Sequence, residues 1–119
     1  MYEEILRDLG LSLNEAKLYE TMLQLGETNV SLISTKSRVH RRNVYDSLNK
    51  LIEKGLVSQY VVKGEKRFRA TDPQRLLTIL KDKEDRLSNI LPEMKSKYLG
   101  VKQEEEAYIY RGVQGFKNY

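Results

Sequence analysis

The chain has no cysteine, a single histidine and only two prolines among its 119 residues. Without cysteine there is no disulfide and no thiol nucleophile, and one histidine cannot assemble a zinc site of the usual Cys/His kind within one chain. No apolar run approaches the roughly 20 residues of a membrane span, and Met1-Tyr2-Glu3-Glu4 lacks the basic and apolar blocks of a secretory signal. The expected location is therefore the cytoplasm, with no membrane partner. Catalytic groupings are missing as well. Ser37, His40 and Asp46 include the residue types of a hydrolase triad, but they lie in one short segment where His40 and Asp46 point to different sides. Glu104-Glu105-Glu106 is a solvated charge run with no partner group that would make it a metal site. No catalytic residue, metal or cofactor is expected.

What is present, 39% hydrophobic and 32% charged residues, suits one small soluble domain with appendages. A net charge of +4 hides an uneven distribution. Residues 1–30 carry 2 Lys/Arg against 6 Asp/Glu, residues 31–72 carry 10 against 4, and residues 73–119 carry 9 against 7. A basic middle third is what one face of a domain needs to meet a polyanion. A solvated lysine-rich surface would give the same count, so the order of elements has to decide.

Ser12-Leu13-Asn14-Glu15 has the form of a capping box and predicts a helix whose apolar face is Leu13, Ala16, Tyr19, Met22 and Leu23. Gly26 ends it, as Gly10 ends a short helix over residues 2–9. Asn29 caps a second short helix through Lys36, with Val30 and Ile33 inward. A turn at Ser37-Arg38 leads to a helix running to about Lys54 and closed by Gly55. Residues 56–62 and 66–71 read as a hairpin around Lys63-Gly64-Glu65. Helix, short helix, tight turn, helix and basic hairpin is the layout of a winged helix-turn-helix, a mainly α fold with a small β-hairpin.

On that layout the wording of the sequence adds a resemblance. "LGLSLNEAKLYETMLQLGE", "RRNVYDSLNKLIEKGLV" and "GEKRFRATDPQRLL" resemble the N-terminal domain of the TrmB family of transcriptional regulators, known chiefly from archaea as sugar-responsive. The resemblance covers about residues 9–100, and its most specific piece is Val44-Tyr45-Asp46-x-Leu48 followed by Glu53-Lys54-Gly55-Leu56-Val57. The family often carries glycine and proline where this chain has Arg38 and His40, which here adds charge beside the turn. The resemblance implies a transcriptional regulator. It also implies the entry to a C-terminal effector domain near residues 100–119, and no sugar-binding role passes to any residue of this chain.

The helix dipole makes the start of the "RRNVYDSLNKL" helix partly positive, so a cluster of cations there calls for an anion in front of it. At 100° per residue, Val44, Tyr45, Leu48, Leu51 and Ile52 fall on one side, and Arg42, Asn43, Asp46, Ser47, Asn49 and Lys50 on the other. Arginine forks onto guanine and asparagine onto adenine, which makes Arg42 and Asn43 the candidates for base reading, with Arg41 reaching a base or a phosphate. Asp46 orients Arg42 or accepts from a cytosine amine. Lys36, Arg38, His40, Ser47 and Lys50 are expected on the DNA backbone, although a lone histidine at this place is more often a surface or capping residue. In the wing, Lys63, Gly64, Lys66, Arg67 and Arg69 are expected to meet phosphate or the minor groove, with Phe68 and Ala70 turned inward. The competing reading is an edge strand protected by cations against pairing with other chains.

From Asp72-Pro73 onward a heptad-like seam of Leu76, Leu80, Leu87, Ile90 and Met94 predicts a long helix, loosened near Pro92, that pairs antiparallel with a second chain. Packing of this stripe on the chain's own winged domain is the alternative. Tyr108-Ile109-Tyr110 reads as a strand, with a helix beginning at residues 113–119. The expected organisation is a winged domain over residues 1–72, a dimerisation helix over 73–99, and a tail over 100–119. That tail belongs either to a fragment of a longer regulator or to a minimal one whose end pairs with its dimer mate. The function expected is a homodimeric, sequence-specific double-stranded DNA-binding regulator. A winged-helix module for protein contacts without specific DNA binding stays open beside it.

Overall fold

The computed structural model describes the backbone of residues 2–117 and the side chains of residues 2–109. Its elements are α1 (Glu3–Asp8), α2 (Leu13–Leu25), α3 (Val30–Ser37), α4 (Arg41–Glu53), β1 (Val57–Val62), β2 (Glu65–Ala70) and α5 (Gln74–Lys117). The chain divides into two units, Met1–Leu80 and Lys81–Tyr119. The first is a winged helix-turn-helix.

The capping box forms as expected: Ser12 Oγ accepts from Glu15 N at 3.1 Å, and Glu15 Oε2 accepts from Ser12 N at 3.0 Å. Asn29 Oδ1 caps α3 by accepting from Leu32 N at 2.9 Å. The core gathers Ala16, Leu18, Tyr19 and Met22 of α2, Val30 and Ile33 of α3, Val44, Leu48 and Leu51 of α4, and Val57 and Phe68 of the hairpin. Helix α2 packs against α1, α3, α4 and β2, so it is covered on more than one side. That explains why Leu18 is buried, while Leu13 and Leu23, expected inside, lie at the exposed rim.

The hairpin turns on two residues rather than three. Val62 pairs with Glu65, and Lys63 and Gly64 both have positive φ, 52° and 80°, as a type I′ loop requires. Glu65 is therefore the first residue of β2 rather than part of the turn. Strand β2 also exchanges two backbone hydrogen bonds with Thr28, Thr28 N to Phe68 O at 2.9 Å and Phe68 N to Thr28 O at 2.8 Å. It is thus paired on both sides at its centre.

Lys54, at the end of α4, reaches Gly10 O at 3.2 Å and forms an ion pair with Glu15. Both targets lie where α1 hands over to α2, so one ammonium ties the end of α4 to the start of the domain. Burial raises the Glu15 carboxyl, but the bonds from Lys54 and Ser12 outweigh it and hold the pKa below its ordinary value of 4.5. A depressed carboxylate pKa adds stability above the ordinary value and loses it as pH falls through the folded one. Glu15→Gln should therefore cost about 1 to 3 kcal/mol at neutral pH. In urea melts the gap between the two proteins should start to narrow below pH 4.5. A gap that held constant down to strongly acid pH would show that the carboxylate charge contributes nothing.

Helix α5 continues to Lys117. The strand expected at Tyr108-Ile109-Tyr110 is helical instead: β propensity is expressed only where a neighbouring strand completes the ladder, and none does among the described residues. The helix expected to begin at residue 113 is the end of α5, and residues 118–119 lie outside the described residues. Pro92 sits inside the helix.

Candidate nucleic-acid interface

The turn between α3 and α4 is built by serines. Ser34 Oγ donates to Val39 O at 2.7 Å, Val39 N donates to Ser37 Oγ at 3.2 Å, and the Val39 side chain is buried. Arg38 adopts the left-handed conformation, φ 62° and ψ 23°, which costs a non-glycine residue about 1 kcal/mol. An arginine is kept at a glycine-favouring position, and its side chain is exposed.

The N-cap position of α4 holds no Ser, Thr, Asp or Asn; His40 serves as the cap, Nδ1 accepting from Arg42 N at 3.2 Å. The histidine expected on the DNA backbone thus spends one ring nitrogen on the helix and keeps only Nε2 for any contact. Arg41, Arg42, Asn43, Asp46, Asn49 and Lys50 are exposed on α4, and Lys36 is exposed on α3. Arg41 Nη1 donates to Ser31 Oγ at 3.3 Å, which fixes the guanidinium across the gap between α3 and α4. Among the described residues Asp46 forms no ion pair with Arg42, so that expected orienting contact is not made within the free chain.

Two α4 positions exchange places relative to expectation. Ser47 is 5% exposed and belongs to the inner face, which removes it from the expected backbone contacts. Tyr45, expected inside, is 45% exposed. The reason is geometric. Ser47 lies one turn from Val44 and Leu51, both fully buried, whereas Tyr45 lies one turn from Arg41 and Asn49, both exposed.

In the wing, Lys63, Gly64 and Lys66 are exposed at the tip and Arg69 farther along, while Phe68 is buried and Ala70 half-buried, as the alternation predicts. Arg67 departs from its expected outward place. It is half-buried, its Nε is buried without a hydrogen-bond partner, and its Nη2 is 3.8 Å from Glu65 Oε2. Burial and a hydrogen bond to Glu27 raise the Tyr60 hydroxyl above its ordinary value, opposed by the charges of Arg69 and Arg67. Arg67 thus stands within reach of an acidic neighbour, Glu65, while Lys63, Lys66 and Arg69 are the exposed cations of the wing. Across from that tip, α4 and the start of α3 complete a cleft of about 350 Å³.

The expected seam divides. Leu76, half-buried, packs with Ile79 against the winged unit's own core, as the alternative reading expected for the stripe. Leu80, Leu87, Ile90 and Met94 are all about half exposed. No helix among the described residues is long and apolar enough to cross a membrane.

Residues 6–74 match the family model described as the sugar-specific transcriptional regulator TrmB. Among solved structures, TrmBL2, described as an archaeal chromatin protein with a novel mode of DNA binding, is similar with a TM-score of 0.71 and 25% identity over 82% of this chain. The chain spans 38% of the length of TrmBL2. A possible transcriptional regulator from Methanosarcina mazei Go1 is similar at TM-score 0.55 and 20% identity, covering 71% of this chain and 80% of that one. A MarR family regulator from Silicibacter pomeroyi is similar at TM-score 0.55 and 18% identity, covering 86% and 75%. At such identities these last two likenesses show the fold alone. No curated protein matches the sequence.

Proposed function

The chain belongs to the TrmB family of transcriptional regulators, and from that premise we propose that it is a homodimeric, sequence-specific binder of double-stranded DNA acting in the cytoplasm. Helix α4 enters the major groove, the wing tip meets phosphate or the minor groove, and α5 joins two copies so that two half-sites are read together. The observation that carries this reading is the pair of exposed cations at the positive end of α4, Arg41 and Arg42, with Lys66 of the wing lining the same cleft as Arg41 and Lys63 exposed at the wing tip. Arg42 and Asn43 read bases; Lys36, Arg38, Arg41 and Lys50 hold phosphates. No effector is assigned to any residue of this chain.

A salt titration of binding to duplex DNA tests the reading, because phosphate contacts release counterions and give a steep slope. A protein-contact module would bind weakly at every salt concentration. Specificity has its own measurement. Arg42→Ala should weaken binding to the cognate site by about 1 to 3 kcal/mol, relax preference at one base position, and leave affinity for random duplex nearly intact. An equal loss on all sequences would mean that Arg42 holds phosphate alone.

A further inference from the structure

The cleft between α4 and the wing tip is lined by Ser31 of α3, Arg41 and Tyr45 of α4, and Gly64, Glu65 and Lys66 of the hairpin, among others. We propose that it seats one deoxyribose-phosphate of the DNA backbone, with the Tyr45 ring against the sugar and its hydroxyl donating to a phosphate oxygen. The proposal rests on the DNA-binding reading and deepens it: it names a contact residue outside the set of cations and amides, and the place on the nucleic acid that it holds.

Three features converge. A half-exposed aromatic side chain at the edge of a polar helix face, beside Arg41, is left largely outside the core, and tyrosine combines an apolar ring with a polar tip, as a sugar-phosphate presents them. The cleft is open on both rims. Arg41 is fixed to Ser31 at 3.3 Å on one side, and Gly64, where an added Cβ would meet nothing within 4 Å, leaves the opposite rim bare. Its volume of about 350 Å³ is ample for a single sugar-phosphate; clefts of roughly 300 to 1,000 Å³ take drug-sized molecules. Charge favours an anion by a narrow margin, since Arg41 and Lys66 stand against Glu65, and Glu65 is itself drawn toward Arg67 at 3.8 Å. A strand that runs between the recognition helix and the wing passes this cleft.

Tyrosine gives the proposal a signature that a cation lacks. A phenol contact releases no counterion, so its removal lowers affinity without changing the salt slope, whereas Arg41→Gln lowers the slope by about one unit. Binding of the full chain to a selected operator and to a random duplex, each over a salt series, supplies the measurement. Tyr45→Ala should weaken binding to both duplexes by about tenfold or more with the slope unchanged. Tyr45→Phe should recover part of the loss, and Glu65→Gln should tighten binding to both. Replacing the contacted phosphate with a neutral methylphosphonate should abolish the difference between tyrosine and phenylalanine. The exposed position of Tyr45 leaves the melting temperature nearly unchanged, which is measured alongside. Wild-type affinity of Tyr45→Ala on both duplexes overturns the proposal, as does a loss confined to the operator, which would make Tyr45 a base reader. If the wild-type chain bound neither duplex, the DNA-binding reading itself would fail before any variant was made.

Discussion

Leu87→Asp is expected to turn the proposed dimer into a monomer while leaving the winged unit folded. Leu87 is 52% exposed, and Leu80, Ile90 and Met94 share its stripe with similar exposure. The stripe goes on beyond them: Leu91, Tyr98, Val101 and Tyr108 are also exposed. Lys81–Asp85, Arg86–Asp82 and Lys97–Glu93 form i,i+4 ion pairs along the same helix, each worth only about 0.3 to 0.5 kcal/mol. Such pairs do not hold a long solvated helix together, and apolar residues recurring by threes and fours give it a reason to pair. Within a paired seam Leu87→Asp buries a carboxylate with no partner, at a cost of several kcal/mol. In the winged unit nothing changes, because its core is drawn from residues of Met1–Leu80. Sedimentation should report a monomer whose helical content is only partly reduced. Affinity for an operator with two half-sites should drop by about 10² or more, since joined domains meet the second half-site intramolecularly. Affinity for an isolated half-site should hardly move. A variant that sediments as a dimer with full operator affinity would leave the stripe without a role in assembly.

The parts of this fold that were legible in the sequence are those fixed by local chemistry. Ser12 with Glu15, and Asn29 before Val30, announce helix starts because their side chains satisfy backbone donors that no other group can reach. What escaped depends on distant neighbours. Thr28 gains its place beside β2 from Phe68, forty positions later, and a one-residue bridge has no periodicity to detect. Tyr108-Ile109-Tyr110 has the composition of a strand, yet a strand exists only with a partner. In the candidate interface, hydrophobicity ranks Tyr45 above Ser47 for burial, while the helix angle places Ser47 between buried residues and Tyr45 between exposed ones. Angle decides, and the aromatic side chain that results is the one set against the wing. Arg67 is hidden by the turn: with Glu65 read as a loop residue, its place two positions from Arg67 on one face of β2 is not visible.

In the proposed complex the wing decides how much of the binding is sequence-independent. Lys63→Asn combined with Lys66→Ala should weaken binding to every duplex, operator and random alike, and lower the salt slope by about two units, close to one for each phosphate that a lysine no longer neutralises. At physiological salt that corresponds to a loss of tens-fold in affinity. The choice of residues follows from the turn. Lys63 sits at φ 52° and Gly64 at φ 80°, and Asn-Gly is the pair this kind of loop prefers, so asparagine removes the charge while easing the backbone. Lys66 is exposed beside the turn, so alanine there deletes charge without opening the core. Arg67 is left in place because its buried Nε and its approach to Glu65 give it a share in the hairpin's own packing. Thermal melts should therefore show a variant at least as stable as the wild type, which separates weakened DNA binding from a damaged fold. The preference ratio between operator and random duplex should stay the same, because under the proposed division of labour the wing holds phosphates and α4 reads bases. An unchanged salt slope would remove the wing tip from the contact surface and leave α4 as the whole of the interface.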